Sequence, residues 1–232
     1  MNMRLNKAVA SATELSRRKA DVAIQEGDVK LNGNIQTNPA TIIDTDIDHI
    51  KYKGKMIHFS KSKQYYMVNK PKGYLSTVSD DLNRKTVLSL LQKPRGLFPV
   101  GRLDMETRGL ILVTNDGEFA QNIAHPSKEV LKVYKIKTDR DLTNVEMEHI
   151  RTGKNKGGGK KAPKNFERMG KQKYEITLIE GAKRQIRNIF AKLSIEVKDL
   201  KRISIGPLKL DDLPEGCYRP LSVKEINGLS KK

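Results

Sequence analysis

Residues 99–117, PVGRLDMETRGLILVTNDG, set one acid, Asp104, between two arginines, Arg102 and Arg108, with Gly101 and Gly109 freeing the backbone on either side. A carboxylate in a loop that enters an apolar strand can act as a nucleophile or as a general base. Either role needs it ionised, which a nearby cation favours and burial opposes. Spacing alone describes an Asp104–Arg108 surface ion pair just as well, and more economically. Catalysis therefore requires partners from elsewhere in the chain.

Three further stretches carry aromatic or cationic residues, which spacing alone reads as an aromatic packed in a sheet and as basic faces. Residues 130–137 alternate as a strand carrying Tyr134. Residues 182–193 place Ala182, Ile186, Ile189, Phe190 and Leu193 on one helical face, with Lys183, Arg184 and Arg187 opposite. A strand over residues 65–68 runs into Asn69-Lys70-Pro71-Lys72-Gly73, by itself an ordinary turn, whose lysines Lys70 and Lys72 could face phosphates.

The elements that must hold these residues read as follows. Leu5, Ala8, Val9 and Ala12 make one amphipathic helix. Ser16 caps a second over residues 17–26, which Gly27 stops. Arg17, Arg18 and Lys19 crowd that helix start against its own dipole, an arrangement suited to gripping phosphate. Asn32-Gly33 is a two-residue hairpin turn. Residues 51–64 are polar and basic, so a domain boundary is placed near residue 60, dividing the chain into 1–60 and 61–232. In the second part Thr86 caps a helix through Leu88 and Leu91, residues 109–114 form an apolar strand, and residues 116–124 form a helix stopped by Pro126. Residues 151–173 are a glycine-broken loop with nine Lys or Arg against one acid. Strands follow over 174–179 and 197–205, the latter with Lys201 and Arg202 exposed, and a short helix ends the chain. Strands and helices without a regular βα repeat give an α+β class.

Composition narrows the partner. Among 232 residues, 45 Lys and Arg stand against 27 Asp and Glu, a formal net charge of +18, which selects a polyanion, nucleic acid ahead of membrane. No apolar run approaches the roughly 20 residues of a membrane span, and the amino terminus lacks the apolar core of a secretory signal. A soluble, cytoplasmic protein is expected. The single cysteine, Cys217, excludes an internal disulfide or a cysteine metal cluster, and the four histidines lack ligand spacing, so no metal is expected. Gly159-Lys160 lacks the preceding glycine and following hydroxyl residue of a phosphate loop.

Two helices followed by a hairpin, carrying SRRKA at 16–20 and EGDVKLNG at 26–33, resemble the S4 RNA-binding domain over about residues 3 to 50. The resemblance implies RNA contacts by Arg4, Lys7, Arg17, Arg18, Lys19, Lys30 and Asn32. NKPKG at 69–73, GRLDMETRGLILVTNDG at 101–117 and EGAKRQIRNIF at 180–190 resemble a pseudouridine synthase of the RsuA/RluB group. That resemblance implies a catalytic domain with a mixed, largely antiparallel central sheet and no cofactor. It also implies a catalytic aspartate at Asp104, an ion partner at Arg187, a base-stacking tyrosine at Tyr134, and substrate contacts from Arg102, Lys70 and Arg184. The implied partner is ribosomal RNA or a subunit assembly intermediate, with the large-subunit (23S) RNA placed ahead of the small-subunit RNA. A binding-only assembly factor on the same scaffold is the alternative from another class, and a monomer is expected.

Overall fold

The amino-terminal helix and turn signals produce the elements expected of them. The computed structural model describes residues 2–59, 62–92, 94, 96–154, 157–159 and 161–230. Helices α1 (Leu5–Ala12) and α2 (Arg17–Gln25) bury Leu5, Val9 and Ile24 against Val29, Ile43 and Ile50. The Ser16 hydroxyl accepts the Lys19 N–H at 3.2 Å, and Gly27 closes α2 at φ +80°. Strands β1 (Asn2–Arg4), β2 (Val29–Leu31), β3 (Asn34–Ile35), β4 (Ile42–Asp44), β5 (Ile50–Tyr52) and β6 (Lys55–Met56) complete this module. β1 pairs with β4, and the others form a sheet in the order β3-β2-β5-β6. Asn32 and Gly33 take φ of 49° and 91°, as a two-residue hairpin turn demands.

The stretch expected to be a linker from residue 51 begins instead as a second hairpin. Lys53 and Gly54 adopt φ of 47° and 77° and turn β5 into β6, so Lys-Gly does here what Asn-Gly does one hairpin earlier. The boundary position at residue 60 lies outside the described residues.

The second part is built on a sheet that has nine strands among the described residues. In chain order its elements are β7 (Tyr65–Lys70), β8 (Phe98–Val100), β9 (Arg108–Thr114), α3 (Gly117–Ala124), β10 (Lys132–Thr138), α4 (Asn144–Arg151), β11 (Asn165–Gly170), β12 (Lys173–Leu178), α5 (Gln185–Ala191), β13 (Val197–Ile205), β14 (Leu208–Lys209), β15 (Tyr218–Pro220) and α6 (Val223–Ser230). The order across the sheet is β11-β12-β10-β13-β9-β7-β15, with β14 on β13 and β8 on β9. Every pairing is antiparallel except β13 with β9, so the sheet is mixed and largely antiparallel, as expected.

β9 is apolar on both faces because it separates two cores. Ile111 and Val113 join the cluster with Tyr134, Ile136, Phe166, Tyr174, Ile186, Phe190 and Leu200, while Leu110 and Leu112 join Met67, Phe119, Ile123 and Leu208 on the other side. Full burial of each such side chain contributes about 1.5–3 kcal/mol. Asp116 starts α3 by accepting the N–H groups of Glu118 and Phe119, and Thr143 with Glu146 forms a capping box on α4.

Three expectations need correction. The Thr86 helix is a 3-10 turn, Val87–Leu90, and the Thr86 side chain makes no capping hydrogen bond. The helix around Arg187 starts only at Gln185, because Arg184 sits in the left-handed region at φ 54°. Residues 151–173 are not loop throughout: Phe166 drops into the core at 1 % exposure and draws residues 165–170 into β11, with Gln172 (φ 56°) turning the hairpin. Lys156 and Lys160 of that stretch lie outside the described residues.

Candidate active site

The loop between β8 and β9 presents Asp104, and its shape is imposed from two directions. Leu103, immediately before the acid, is 5 % exposed. Its N–H donates to the Ser76 hydroxyl at 3.1 Å, while that hydroxyl donates back to the Leu103 carbonyl at 3.0 Å. On the far side, the Met105 carbonyl accepts the Gly73 N–H at 2.9 Å and the Lys70 ammonium at 3.3 Å. The Thr107 N–H closes the turn on the Asp104 carbonyl at 2.9 Å. With both neighbours pinned, the Asp104 carboxylate is left half-buried, without a hydrogen-bond or ion-pair partner among the described residues.

The carboxylate opens on a cleft of about 390 Å³ lined by Arg102, Asp104, Tyr134, Arg184, Arg187 and Leu200, among others. Four of the expected site residues therefore converge with Asp104 from three separate segments. Tyr134, on β10, is 7 % exposed and forms a wall of the cleft. Arg102 and Arg184 are exposed at its rim. Arg187, on α5, is half-buried beside the acid, but the direct ion pair with Asp104 expected from the sequence is not formed. Its guanidinium donates instead to the carbonyls of Val197 at 2.9 Å and Glu106 at 3.1 Å, and its buried Nε has no partner among the described residues. Burial, then the neighbouring Arg184, lowers its proton affinity, and the charges of Asp104, Glu106 and Asp199 work against that. Arg187 thus sets a positive field at the acid while being held by backbone.

An expectation fails at Lys70, and the alternative reading of an Asp104–Arg108 ion pair is not what the structure shows. Lys70 is wholly buried and faces no phosphate. It donates to the Pro71 carbonyl at 2.7 Å and to Met105, and burial pushes its ammonium down to about 8 despite Glu106, Glu215 and Asp104. Lys72, the other lysine of the turn, is exposed and pairs with Asp199 at 3.0 Å. Arg108 makes no pair with Asp104: it clamps Asp199 at 2.7 Å and Glu215 at 3.3 Å. Asp199, though partly buried, is held down to about 2 by hydrogen bonds from Arg108 and Lys72.

In the amino-terminal module Arg4, Lys7, Arg17, Arg18, Lys19 and Lys30 are exposed. Lys19 is already paired with Asp81 of the second part at 2.5 Å. Asn32 is a poor RNA contact as it stands. Its amide donates to Asp48 at 2.8 Å and accepts the His49 N–H at 2.9 Å, so it splints its own hairpin.

Ser76 and Arg202 are the residues that sequence reasoning missed. Nothing in GYLSTVS marks Ser76. Arg202 carried a signal: Leu200, Arg202 and Ser204 alternate on one face of β13, so Arg202 belongs with inward Leu200 and cannot be exposed together with Lys201. It is 3 % exposed.

Among the described residues no group of three His, Cys, Asp or Glu side chains is placed to hold a metal, and no helix is long and apolar enough to cross a membrane. The cleft supplies an unengaged carboxylate, an aromatic wall and a fixed cation, the parts needed to attack or deprotonate a planar ring substrate.

Comparison with known proteins identifies the family. The RNA pseudouridylate synthase profile matches residues 64–192 and the S4 domain profile residues 3–46. A Bacillus subtilis protein named ribosomal large subunit pseudouridine synthase B is 35 % identical, over 97 % of this chain and 95 % of its own length. An RNA pseudouridine synthase of Aquifex aeolicus is also 35 % identical, over 100 % of this chain and 95 % of its own. The crystal structure of a pseudouridylate synthase superposes with a TM-score of 0.69 at 31 % identity, covering 98 % of this chain and 99 % of that one.

Proposed function

The chain belongs to the RNA pseudouridine synthase family, and from that premise we propose that it isomerises a uridine of large-subunit ribosomal RNA, free or within an assembly intermediate, with Asp104 as the catalytic residue. The observation that carries the assignment is the Asp104 carboxylate, unpartnered among the described residues between two pinned neighbours, at the mouth of a cleft walled by Tyr134 and bordered by Arg187.

The isomerisation breaks the bond from uracil N1 to ribose C1′, turns the base, and joins C5 to C1′. The C5 proton leaves to solvent and N1 gains one, so no oxidant, reductant or hydrolysis is involved. A carboxylate can serve as nucleophile at C1′, as nucleophile at C6, or as the base that removes the ribose 2′ proton. Each route needs the uridine unstacked and laid on a flat surface. Tyr134 is the wall suited to that, and Arg102 and Arg184 at the rim suit the flanking phosphates. Arg187 supplies the positive field that favours an ionised Asp104, acting through space rather than by a direct pair.

Residues 1–60 form an RNA-capture domain in this reading, supported by their separate apolar cluster and by the exposed cations of α1 and α2. The large subunit is placed ahead of the small because the similar Bacillus subtilis protein bears that name. Cytoplasmic residence and a monomeric state belong to the same reading. It is tested with ribosomal RNA fragments tritiated at uridine C5. The wild-type protein is expected to release tritium from a large-subunit fragment and Asp104→Asn to release none. Release by the Asn variant at the wild-type rate would remove Asp104 from catalysis, and no release from any fragment would favour a binding-only assembly factor.

A further inference from the structure

Arg202 is a buried cation with no carboxylate paired to it among the described residues. It is 3 % exposed on β13, its guanidinium carbon stands 6.0 Å from the Tyr134 ring centroid, and its Nε donates to the Leu110 carbonyl at 2.7 Å. Its buried Nη2 has no hydrogen-bond partner, and no ion pair reaches it among the described residues. Lys132, two residues before Tyr134 on the same face of β10, adds a second cation. Its ammonium donates to the Val130 carbonyl at 3.0 Å, and burial, with the Arg202 charge behind it, holds it down to about 8. Leaving a charge in a core without a counter-ion costs several kcal/mol, and an apolar side chain of similar length would remove that cost. Its hydrogen bond to one carbonyl does not by itself call for a buried charge.

Its placement does. β9 and β13 are paired only at Lys201 with Arg108 and Arg202 with Gly109. Gly109, at φ +107°, lets the strands approach so closely that a Cβ there would lie 2.2 Å from the Arg202 carbonyl. Immediately past this junction the Arg202 side chain reaches the Leu110 carbonyl, where the β9–β13 register has ended. On its other side Arg202 lies opposite Tyr134 in the β10–β13 register, next to an irregularity at Val133/Tyr134. One guanidinium therefore ties β9, the strand that the Asp104 loop feeds, to the aromatic wall on β10. The cation over the ring is attracted to it, more strongly where both are desolvated.

We propose that Arg202 is a positioning residue for the isomerisation, setting the height of the Tyr134 ring relative to Asp104 by bridging the Leu110 carbonyl to the ring. This rests on the pseudouridine synthase reading of the same cleft. Arg202 touches no substrate; it acts through Tyr134, and a displacement of about 1 Å in such a platform is enough to cost 10²-fold in rate.

The test compares Arg202→Met and Arg202→Lys with wild type in the tritium-release assay, alongside thermal unfolding. Arg202→Met, which keeps length and loses charge and donors, is expected to unfold at or above the wild-type temperature, to keep KM within threefold, and to lose at least tenfold in kcat. Arg202→Lys, which keeps a cation near the ring but not the forked reach to Leu110, is expected to recover part of that loss. A wild-type kcat in Arg202→Met would overturn the proposal. So would a loss appearing equally in KM and unfolding temperature, a Lys variant no better than Met, or unfolding of both, since each makes Arg202 a strut of the core. Wild-type protein in the same assay reports separately on the isomerase reading, so the two failures are distinguishable.

Discussion

Lys70 gives the sharpest quantitative expectation. The side chain is wholly buried, and its ammonium is held at about 8 against an ordinary 10.5. At about 1.36 kcal/mol for each tenfold change in proton affinity, keeping it charged near neutrality costs the fold roughly 3 kcal/mol. Between about pH 8 and pH 10.5 the unfolded chain still holds this proton while the folded chain has released it, so the unfolded state binds more protons and stability rises with pH across that window. Lys70→Met removes this contribution. Lys132, similarly depressed, titrates in both proteins and cancels in the comparison. Urea unfolding followed by circular dichroism from pH 7 to pH 10.5 should show the stability of wild type relative to Lys70→Met climbing by roughly 3 kcal/mol. At pH 7 the variant should be no less stable than wild type by more than about 1 kcal/mol, the net worth of an ordinary hydrogen bond. Catalysis should move the other way: with the Met105 carbonyl left to the Gly73 N–H and the ammonium gone from beneath the loop, single-turnover tritium release at saturating RNA should fall at least tenfold. A stability difference that stays flat with pH would refute the buried-ammonium reasoning, and an unchanged rate would refute the role of Lys70 in shaping the Asp104 loop.

Two other positions carry distinct expectations. Gly109→Ala combines a left-handed backbone with a Cβ driven onto the Arg202 carbonyl at 2.2 Å, so it should lower stability by about 3 kcal/mol or more, read as a fall in melting temperature, with β9 and β13 unable to meet. Arg187→Ala should reduce kcat well beyond any change in RNA affinity, because its guanidinium is held by the Val197 and Glu106 carbonyls beside Asp104; equal losses in turnover and in binding, measured by filter retention of an rRNA fragment, would make it a phosphate contact instead.

What could be read from the chain alone follows from local rules. The amphipathic spacing of Leu5, Ala8, Val9 and Ala12, the Ser16 cap, the Asn32-Gly33 turn and the apolar run at 109–114 each depend on residues within a few positions of one another, and each gave the element it signalled. The motifs around Asp104 and Arg187, with the Tyr134 strand, marked the residues that the fold gathers into one cleft. Local rules also misled wherever a distant contact decided the outcome. The Gly-Lys segment read as loop through residue 173 because nothing nearby announces that Phe166 has a place against Tyr174 and Phe190, at ring separations of 5.6 and 6.1 Å.

The same division runs through the site. Sequence by itself offered Asp104 as a carboxylate in a loop entering an apolar strand, and the resemblance carried by its motifs, rather than spacing or period, implied Tyr134 and Arg187 as the residues that serve it. Only the tertiary structure decided how they are engaged. It turned Lys70 inward beneath the Asp104 loop, gave Arg108 to Asp199, parked Arg187 on backbone carbonyls, and set Arg202 under Tyr134. The physical reason is that a long cationic side chain reaches several possible partners, and the choice among them depends on which carbonyls and carboxylates strands far apart in sequence bring within 3 Å or so.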